Sequence, residues 1–260
     1  MTIEQQVGET YATHAQAYNQ ARLEGNLRNR VNNFTELPSM LNVVGNIEHQ
    51  SLLDIGCGSA IHAQHYVACN AKVTGIDQSL GMINIAKQQC PQASFQQACI
   101  YNLPFEDNTF NIATASLMMF HLDDPLKAML EVKRVLKPGA FFHYSDLSPF
   151  YLARSEQDHD HLAPRAIGHI RNKVTGELTI FNADYREDIT YEVPLLPGIT
   201  VPCYRRMFGS HVRTIHESGL TLINYTNCFA IEAFKEVNPD AHAILSKIPP
   251  YCIYSVQKSN

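Results

Sequence analysis

No stretch of this chain approaches the roughly 18 consecutive apolar residues that a membrane-spanning helix requires, so no membrane segment is expected. The opening MTIEQQVGET lacks the basic and apolar regions of a secretory signal, and a cytoplasmic location is expected. No C-x-x-C pair occurs among Cys57, Cys69, Cys90, Cys99, Cys203, Cys228 and Cys252, so neither a zinc knuckle nor a redox dithiol is indicated. Reduced thiols are the expected state. There is no positive surplus either: a net charge of -5 argues against a nucleic-acid partner, whose phosphates want a basic face. Internal repeats and low-complexity tracts are absent. The pair His159 and His161 in SEQDHDHLAPR invites a metal reading, but a solvated polar loop explains it as well, and no metal is expected.

What is present is 260 residues with 45% hydrophobic content, enough for one large domain with a modest insertion. From about 51 to 146, short apolar runs alternate with amphipathic stretches, as a parallel α/β sheet requires. SLLDI (51–55), KVTGID (72–77), ASFQQA (93–98), FNIATASL (110–117) and AFFHYSD (140–146) read as its strands. Ser79 can cap a helix through Met82, Ile83, Ile85 and Ala86, and a helix over 125–136 stops at Pro138-Gly139. The first fifty residues read as helices, with Tyr11, Ala15, Tyr18 and Arg22 at helical spacing. GELTIFNADYREDITYEVPLL (176–196) reads as two strands joined by a turn, HVRTIHESGL (211–220) as a helix, and TLINYTNCF and PPYCIYSVQ as closing strands. The expected fold is a doubly wound, Rossmann-like α/β domain with a mostly parallel seven-stranded sheet. Its expected parts are a helical lid (1–50), a cofactor-binding core (51–146), a β-containing insertion over the substrate site (147–207) and a closing segment (208–260).

The chemistry concentrates in Leu52-Leu53-Asp54-Ile55-Gly56-Cys57-Gly58-Ser59-Ala60. A glycine turn between a first strand and first helix is where doubly wound folds bind nucleotides. A pyrophosphate there wants amide donors and no nearby anion. Asp54 ends the strand two residues before Gly56, and Ile61 stands where a dinucleotide fingerprint has its third glycine. S-adenosylmethionine carries an ammonium and a sulfonium instead of phosphate, and a carboxylate suits that cationic end. Asp77, ending the second strand, can accept both ribose hydroxyls, a geometry that serves either ligand.

Taken with its neighbours, this segment resembles the class I S-adenosylmethionine-dependent methyltransferases acting on small molecules. LLDIGCGSA resembles the family's first motif, VTGIDQSLGMI its ribose-binding strand and next helix, LKPGAFFHYSD its fifth-strand turn, and Tyr11 through Tyr18 its lid. The resemblance covers residues 11 to 146 well and implies Tyr18, Asp54, Gly56, Cys57, Gly58, Asp77, Gln78, Met82, Cys99, Ile100, Ser116 and Leu117 as the cofactor-binding set. Cys99 falls where the family usually has an acid for the adenine amino group, leaving a backbone carbonyl to take it between Met82 and Ile100. Asn111 replaces an aspartate in a structural position.

Methyl transfer needs alignment and sometimes removal of one proton. Strand C-terminal ends face the crevice, which places His121 after strand four and Ser145 and Asp146 after strand five near the transfer site. His121 is the candidate general base; Tyr204 and Asp146 complete the catalytic candidates, with Arg205 or Arg206 available for an acidic group. The expected activity is methylation of an O or N atom of a small molecule by a monomer or homodimer. Three other readings stand beside it: a malonyl-carrier-protein O-methyltransferase with a basic face from Arg165, Arg171, Lys173, Arg205, Arg206 and Arg213, a nicotinamide oxidoreductase, and a non-catalytic adenosyl-ligand binder.

Overall fold

A computed structural model describes residues 2–24, 27–149, 168–171, 174–176, 178–181 and 188–260. His159, His161, Arg165 and Lys173 lie outside them. Three helices lead the chain: α1 (Ile3–Glu24), α2 (Leu27–Phe34) and α3 (Glu36–Val44). The core then alternates β1 (Ser51–Ile55), α4 (Ile61–Ala68), β2 (Lys72–Asp77), α5 (Leu80–Gln89), β3 (Ser94–Gln97), β4 (Phe110–Ala115), α6 (Pro125–Val135) and β5 (Leu136–Leu147). β6 (Gly168–Arg171) pairs with β7 (Leu178–Phe181), and β8 (Ile189–Leu196) with β9 (Ile199–Arg205), both antiparallel. α7 (Phe208–Glu217), β10 (Leu220–Cys228), α8 (Phe234–Val237), α9 (Pro239–Leu245) and β11 (Tyr251–Lys258) close the fold.

The main sheet has seven strands in the order β10-β11-β5-β4-β1-β2-β3. β3 through β5 run parallel, while β11 and β10 add antiparallel at the β5 edge. The central strands read as continuous apolar runs because helices cover both faces. Leu52 faces a layer with Tyr66, Ile83 and Ile253, while Leu53 faces one with Met129, Val132 and Ile215. Local signals hold the helices in place. Ser79 accepts from the Met82 amide at 3.2 Å, and Asp124 from the Lys127 amide at 2.9 Å ahead of Pro125.

Two sequence expectations are modified, and the structural reading of Asn111 fits its contacts. The helix over 125–136 ends at Val135, because Leu136 already pairs with Phe110 and the strand absorbs Pro138-Gly139 at a register irregularity before Phe141. The two strands within 176–196 are not each other's partners: β7 pairs backwards with β6, and β8 turns at Pro197-Gly198 into β9. Asn111 sits at the strand N-terminal ends, taking the Ser51 hydroxyl at 2.6 Å and the Lys137 ammonium at 3.1 Å. That joins β1, β4 and β5 far from the crevice.

Candidate functional site

A cleft of about 1200 Å³, including its open mouth, lies over the C-terminal ends of β1, β2 and β4. Its floor is the turn after β1. Gly56 has φ +66°, and a Cβ there would stand 2.9 Å from the Met118 side chain, so only glycine fits. The next helix starts from Ala60, itself left-handed at φ +68° and fully buried. Asp77 buttresses the turn: one carboxylate oxygen accepts from the Gly58 amide at 3.0 Å and the other from Ser79 at 2.8 Å. Each oxygen keeps a second lone pair for a further donor. Burial pushes Asp77 up against those two bonds.

Asp54 is 1% exposed. One oxygen accepts from the Thr114 hydroxyl at 3.2 Å; the other has no partner among the described residues. Burial raises its carboxyl to about 6, partly opposed by the His62 charge and Thr114. An orphaned carboxylate oxygen in a cleft wants a cation or a strong donor.

Beside it lies a pair that motif reading missed. Glu36, fully buried at the start of α3, accepts from His62 Nε2 at 2.9 Å and from the Ser145 hydroxyl at 2.7 Å. Burial pushes Glu36 up and His62 down; their mutual attraction and hydrogen bonds outweigh it, leaving Glu36 below and His62 above their ordinary values. Ser145 also accepts from the Leu117 amide at 2.9 Å, so the pair is tied to the end of β4. A signal for both residues existed. His62 opens the helix after the glycine turn, which aims it back over the strand ends, and Glu36 is the lone charge in the apolar ELPSMLNVV.

α1 forms the roof. Gly81 of α5 lets it approach, since a Cβ would meet Ala15 Cβ at 2.9 Å and the Ala12 carbonyl at 3.2 Å. Gln78 donates to the Glu4 carbonyl at 2.8 Å. Tyr11 packs edge-on to Tyr18, ring centroids 5.1 Å apart, and lies 6.2 Å from the His121 ring. His121 Nδ1 is 3.0 Å from the Pro202 carbonyl, which can only accept. Nδ1 therefore carries the proton and Nε2 the lone pair. The Cys203 sulfur lies 3.5 Å from the same nitrogen.

Residues 53–144 match the family model of a methyltransferase domain. The chain therefore carries a methyltransferase domain. A demethylmenaquinone methyltransferase of Renibacterium salmoninarum is 31% identical over 122 residues, 45% of this chain and 52% of that protein. The chain thus matches about half the length of that relative. An S-adenosylmethionine-dependent methyltransferase of Mesorhizobium loti superposes with a TM-score of 0.62 at 22% identity, covering 86% of this chain and 96% of that one. The 4+2 cyclase SpnF also shares the fold, with a TM-score of 0.60 at 16% identity over 99% and 97% of the two chains.

The methyltransferase domain's cleft fits this cofactor. Asp54 offers an orphaned oxygen for the ammonium, Asp77 open lone pairs for the ribose, and buried Met82 and Ile100 apolar walls for a flat ring. All twelve residues expected to contact the cofactor line the cleft: Tyr18, Asp54, Gly56, Cys57, Gly58, Asp77, Gln78, Met82, Cys99, Ile100, Ser116 and Leu117. Cys99 is exposed, and its carbonyl accepts from the Asn102 amide at 3.1 Å.

The three expected catalytic residues separate. His121 lines the cleft; Asp146 and Tyr204 do not. Side chains alternate along a strand, and because Ser145 faces Glu36, Asp146 points through the opposite face. There it stands 3.9 Å from His211 Nε2, beside Tyr144 and Arg206. Tyr204 donates to Asp123 at 2.9 Å, with the Arg206 guanidinium 4.3 Å above its ring. Arg206 donates to the Met119 and Leu122 carbonyls, and Arg205 is buried. Neither offers the basic face a carrier protein would need. Among the described residues no three His, Cys, Asp or Glu side chains gather to hold a metal, and no helix is long and apolar enough to cross a membrane.

Proposed function

We propose that the chain is a working S-adenosylmethionine-dependent methyltransferase that transfers a methyl group to an O or N atom of a small, largely apolar molecule. The observation that carries this reading is a single cleft whose floor suits the donor and whose wall includes Tyr11, Leu117, Leu122 and His121. When bound, the cofactor supplies an activated methyl on a positively charged sulfur. Asp54 and Asp77 would hold that cofactor, and His121 Nε2 would take the proton that the acceptor atom gives up on methylation. The Pro202 carbonyl holds the imidazole in the tautomer this requires. The roof of α1 excludes water and Ser145 fixes Leu117 beside the transfer line.

The demethylmenaquinone relative's name supports a hydroxylated ring as the first acceptor class to try. We place the protein in the cytoplasm, consistent with its free thiols. The test is calorimetric titration with S-adenosylmethionine, S-adenosylhomocysteine and NADH, then turnover on a panel of phenols, quinols and amines. Tight NADH binding without any response to the adenosyl ligands overturns the reading. Binding without turnover of any acceptor makes the chain a binder. For an active acceptor, His121→Gln should lower kcat by about 10²–10⁴ with the adenosyl affinity unchanged.

A further inference from the structure

Behind β5 lies a second cavity, of about 220 Å³ including its mouth, whose walls include Met119, Tyr144, Asp146, Arg206 and His211. One turn of 3-10 helix, Met119–His121, separates it from the cleft: Met119 lines the rear cavity, while His121 and Leu122 line the cleft. A helix of a single turn has too few internal bonds to hold its own shape. Its amide bonds run from His121 to the Met118 carbonyl at 3.0 Å and from Leu122 to Met119 at 3.2 Å. Arg206 adds a clamp from behind, one guanidinium nitrogen donating to the Met119 carbonyl at 3.3 Å and another to the Leu122 carbonyl. A planar fork can grip both sides of His121 at once, as a point charge cannot.

The same guanidinium shares the rear cavity with Asp146, which is 2% exposed and feels the Arg206 charge. Among the described residues, the other titratable groups there are Tyr144 on β5, Cys252 and Tyr254 on β11, Tyr225 on β10 and His211 on α7. Burial keeps Tyr144, Cys252 and Tyr254 far above neutral pH, and holds His211 down to about 3. On the cleft side, His121 meets Tyr11 of α1 and Cys203 and the Pro202 carbonyl of β9.

We propose that Arg206 is the positioning residue of His121, and that Asp146 governs its grip by competing for the guanidinium. The inference rests on His121 being the proton acceptor of the reaction proposed above. While Asp146 keeps its proton, Arg206 holds the two carbonyls. Burial preserves that proton up to about pH 7. Its loss to solvent leaves a buried carboxylate in want of a cation, and Arg206 is the cation on the cavity wall. The guanidinium is then drawn toward Asp146, the turn loosens, and His121 Nε2 leaves the transfer line. Turnover would fall on the alkaline side through a group that never touches the ligand.

The test follows the amide NMR resonances of Phe120 and Leu122 in the full chain loaded with S-adenosylhomocysteine. His121→Gln is the background, so that the titration of the imidazole itself is removed. Both amides should shift with an inflection near pH 7, and adding Asp146→Asn or Arg206→Gln should abolish it. Far-UV circular dichroism verifies folding at each pH. No inflection in the background variant, or one that survives Asp146→Asn, overturns the proposal. For an active acceptor, Asp146→Asn should remove the alkaline limb of the kcat profile and leave KM unchanged. Arg206→Gln should lower kcat about 10- to 100-fold with S-adenosylhomocysteine affinity intact, and Arg206→Lys should fall in between. If the inflection is lost as expected but kcat is unchanged in Arg206→Gln, the grip on the turn stands and His121 falls as the proton acceptor. Protein that binds no S-adenosylhomocysteine sinks the adenosyl-ligand reading alone, because the amides report equally in the unliganded chain.

Discussion

Two buried acid–histidine pairs lie on opposite faces of the same sheet, and they are in opposite states. In the cleft, Glu36 and His62 are 2.9 Å apart, and each is shifted toward its charged form. Behind β5, Asp146 and His211 are 3.9 Å apart, and each is shifted toward its neutral form: burial raises Asp146 to about 7, and burial with the Arg206 charge lowers His211 to about 3. Burial is similar on both sides, so it does not decide the outcome. Contact does. A direct hydrogen bond, reinforced by Ser145, offsets the loss of hydration on one face. One ångström more leaves desolvation uncompensated on the other. The ionic pair faces the cleft, and the neutral pair sits in the packing behind it.

Breaking the ionic pair should give the largest effect. Glu36→Gln keeps the shape but leaves His62 without its anion, a change that costs about 3–5 kcal/mol in buried pairs. Thermal melts near pH 6 should fall by roughly 10 °C. The pH dependence identifies the cause. Glu36 lies below its ordinary 4.5, so its contribution is lost as pH falls through its folded value. His62 lies above its ordinary 6.5, so its contribution is lost as pH rises through its own. The deficit of Glu36→Gln should therefore be greatest between pH 4.5 and 6.5 and narrow at pH 9. A deficit independent of pH would show that the pair is not ionic.

The pair behind β5 should answer with the opposite sign. With a folded value of about 7 against an ordinary 3.8, Asp146 contributes stability at low pH that is lost as pH rises through 7. His211, at about 3 against 6.5, contributes stability at neutral pH that is lost on acidification below 6.5. Between 3.8 and 6.5 the two slopes cancel. Asp146→Asn should then be more stable than wild type at pH 8, by about 2–4 kcal/mol, because no carboxylate has to ionise in the interior. Below pH 6.5 the variant should lose stability that wild type keeps, since His211 is no longer offset. Denaturant titrations at pH 8, 6.5 and 4.5 measure both effects. Lower stability at pH 8 would mean that the Asp146 carboxylate is needed there in ionised form.

The same comparison explains what the sequence made legible. The glycine turn, Asp54 and Asp77 were readable because backbone geometry confines them to a few consecutive positions at strand ends. The twelve residues expected around the cofactor accordingly come together. Glu36 and His62 stand 26 residues apart on different helices, and their meeting depends on how α3 packs on α4 and β5. No local pattern encodes that. Asp146 was placed at the right strand end, but a one-residue step along a strand reverses the face, and only the contacts of Ser145 fix which side is which. The pairing of β8 with β9 was hidden for a related reason. Two-stranded ribbons are chosen by partner and turn, and the turn lay one strand later than the pattern suggested.

Asp54 tests the cleft side at lower amplitude. It is the carboxylate next to the ionic pair and has an oxygen with no partner among the described residues. Asp54→Asn should weaken S-adenosylhomocysteine by about 1–3 kcal/mol, roughly 5- to 150-fold, because a charged bond to the ligand's ammonium becomes a neutral one. It should cost little stability, since an isosteric amide retains the Thr114 contact and relieves a carboxyl raised to about 6 by burial. Unchanged calorimetric affinity would place the ammonium elsewhere.

Tyr204 marks the smallest effect and the limit of the comparison. Its hydroxyl donates to Asp123 outside both pairs, and its ring supports Arg206, whose guanidinium holds the Met119 and Leu122 carbonyls on either side of His121. Tyr204→Phe keeps the ring, and with it the cation–π contact, and removes only the hydroxyl. The loss should be about 0.5–1.5 kcal/mol of stability. Cofactor affinity and the pH profile of turnover should stay as in wild type, because neither Tyr204 nor Asp123 lines the cleft. A displaced pH profile would show that Tyr204 reaches the transferring proton through Asp123, joining this rim to the His121 side of the cleft. An unchanged profile leaves His121 as the one of the three expected catalytic residues that acts from the cavity wall.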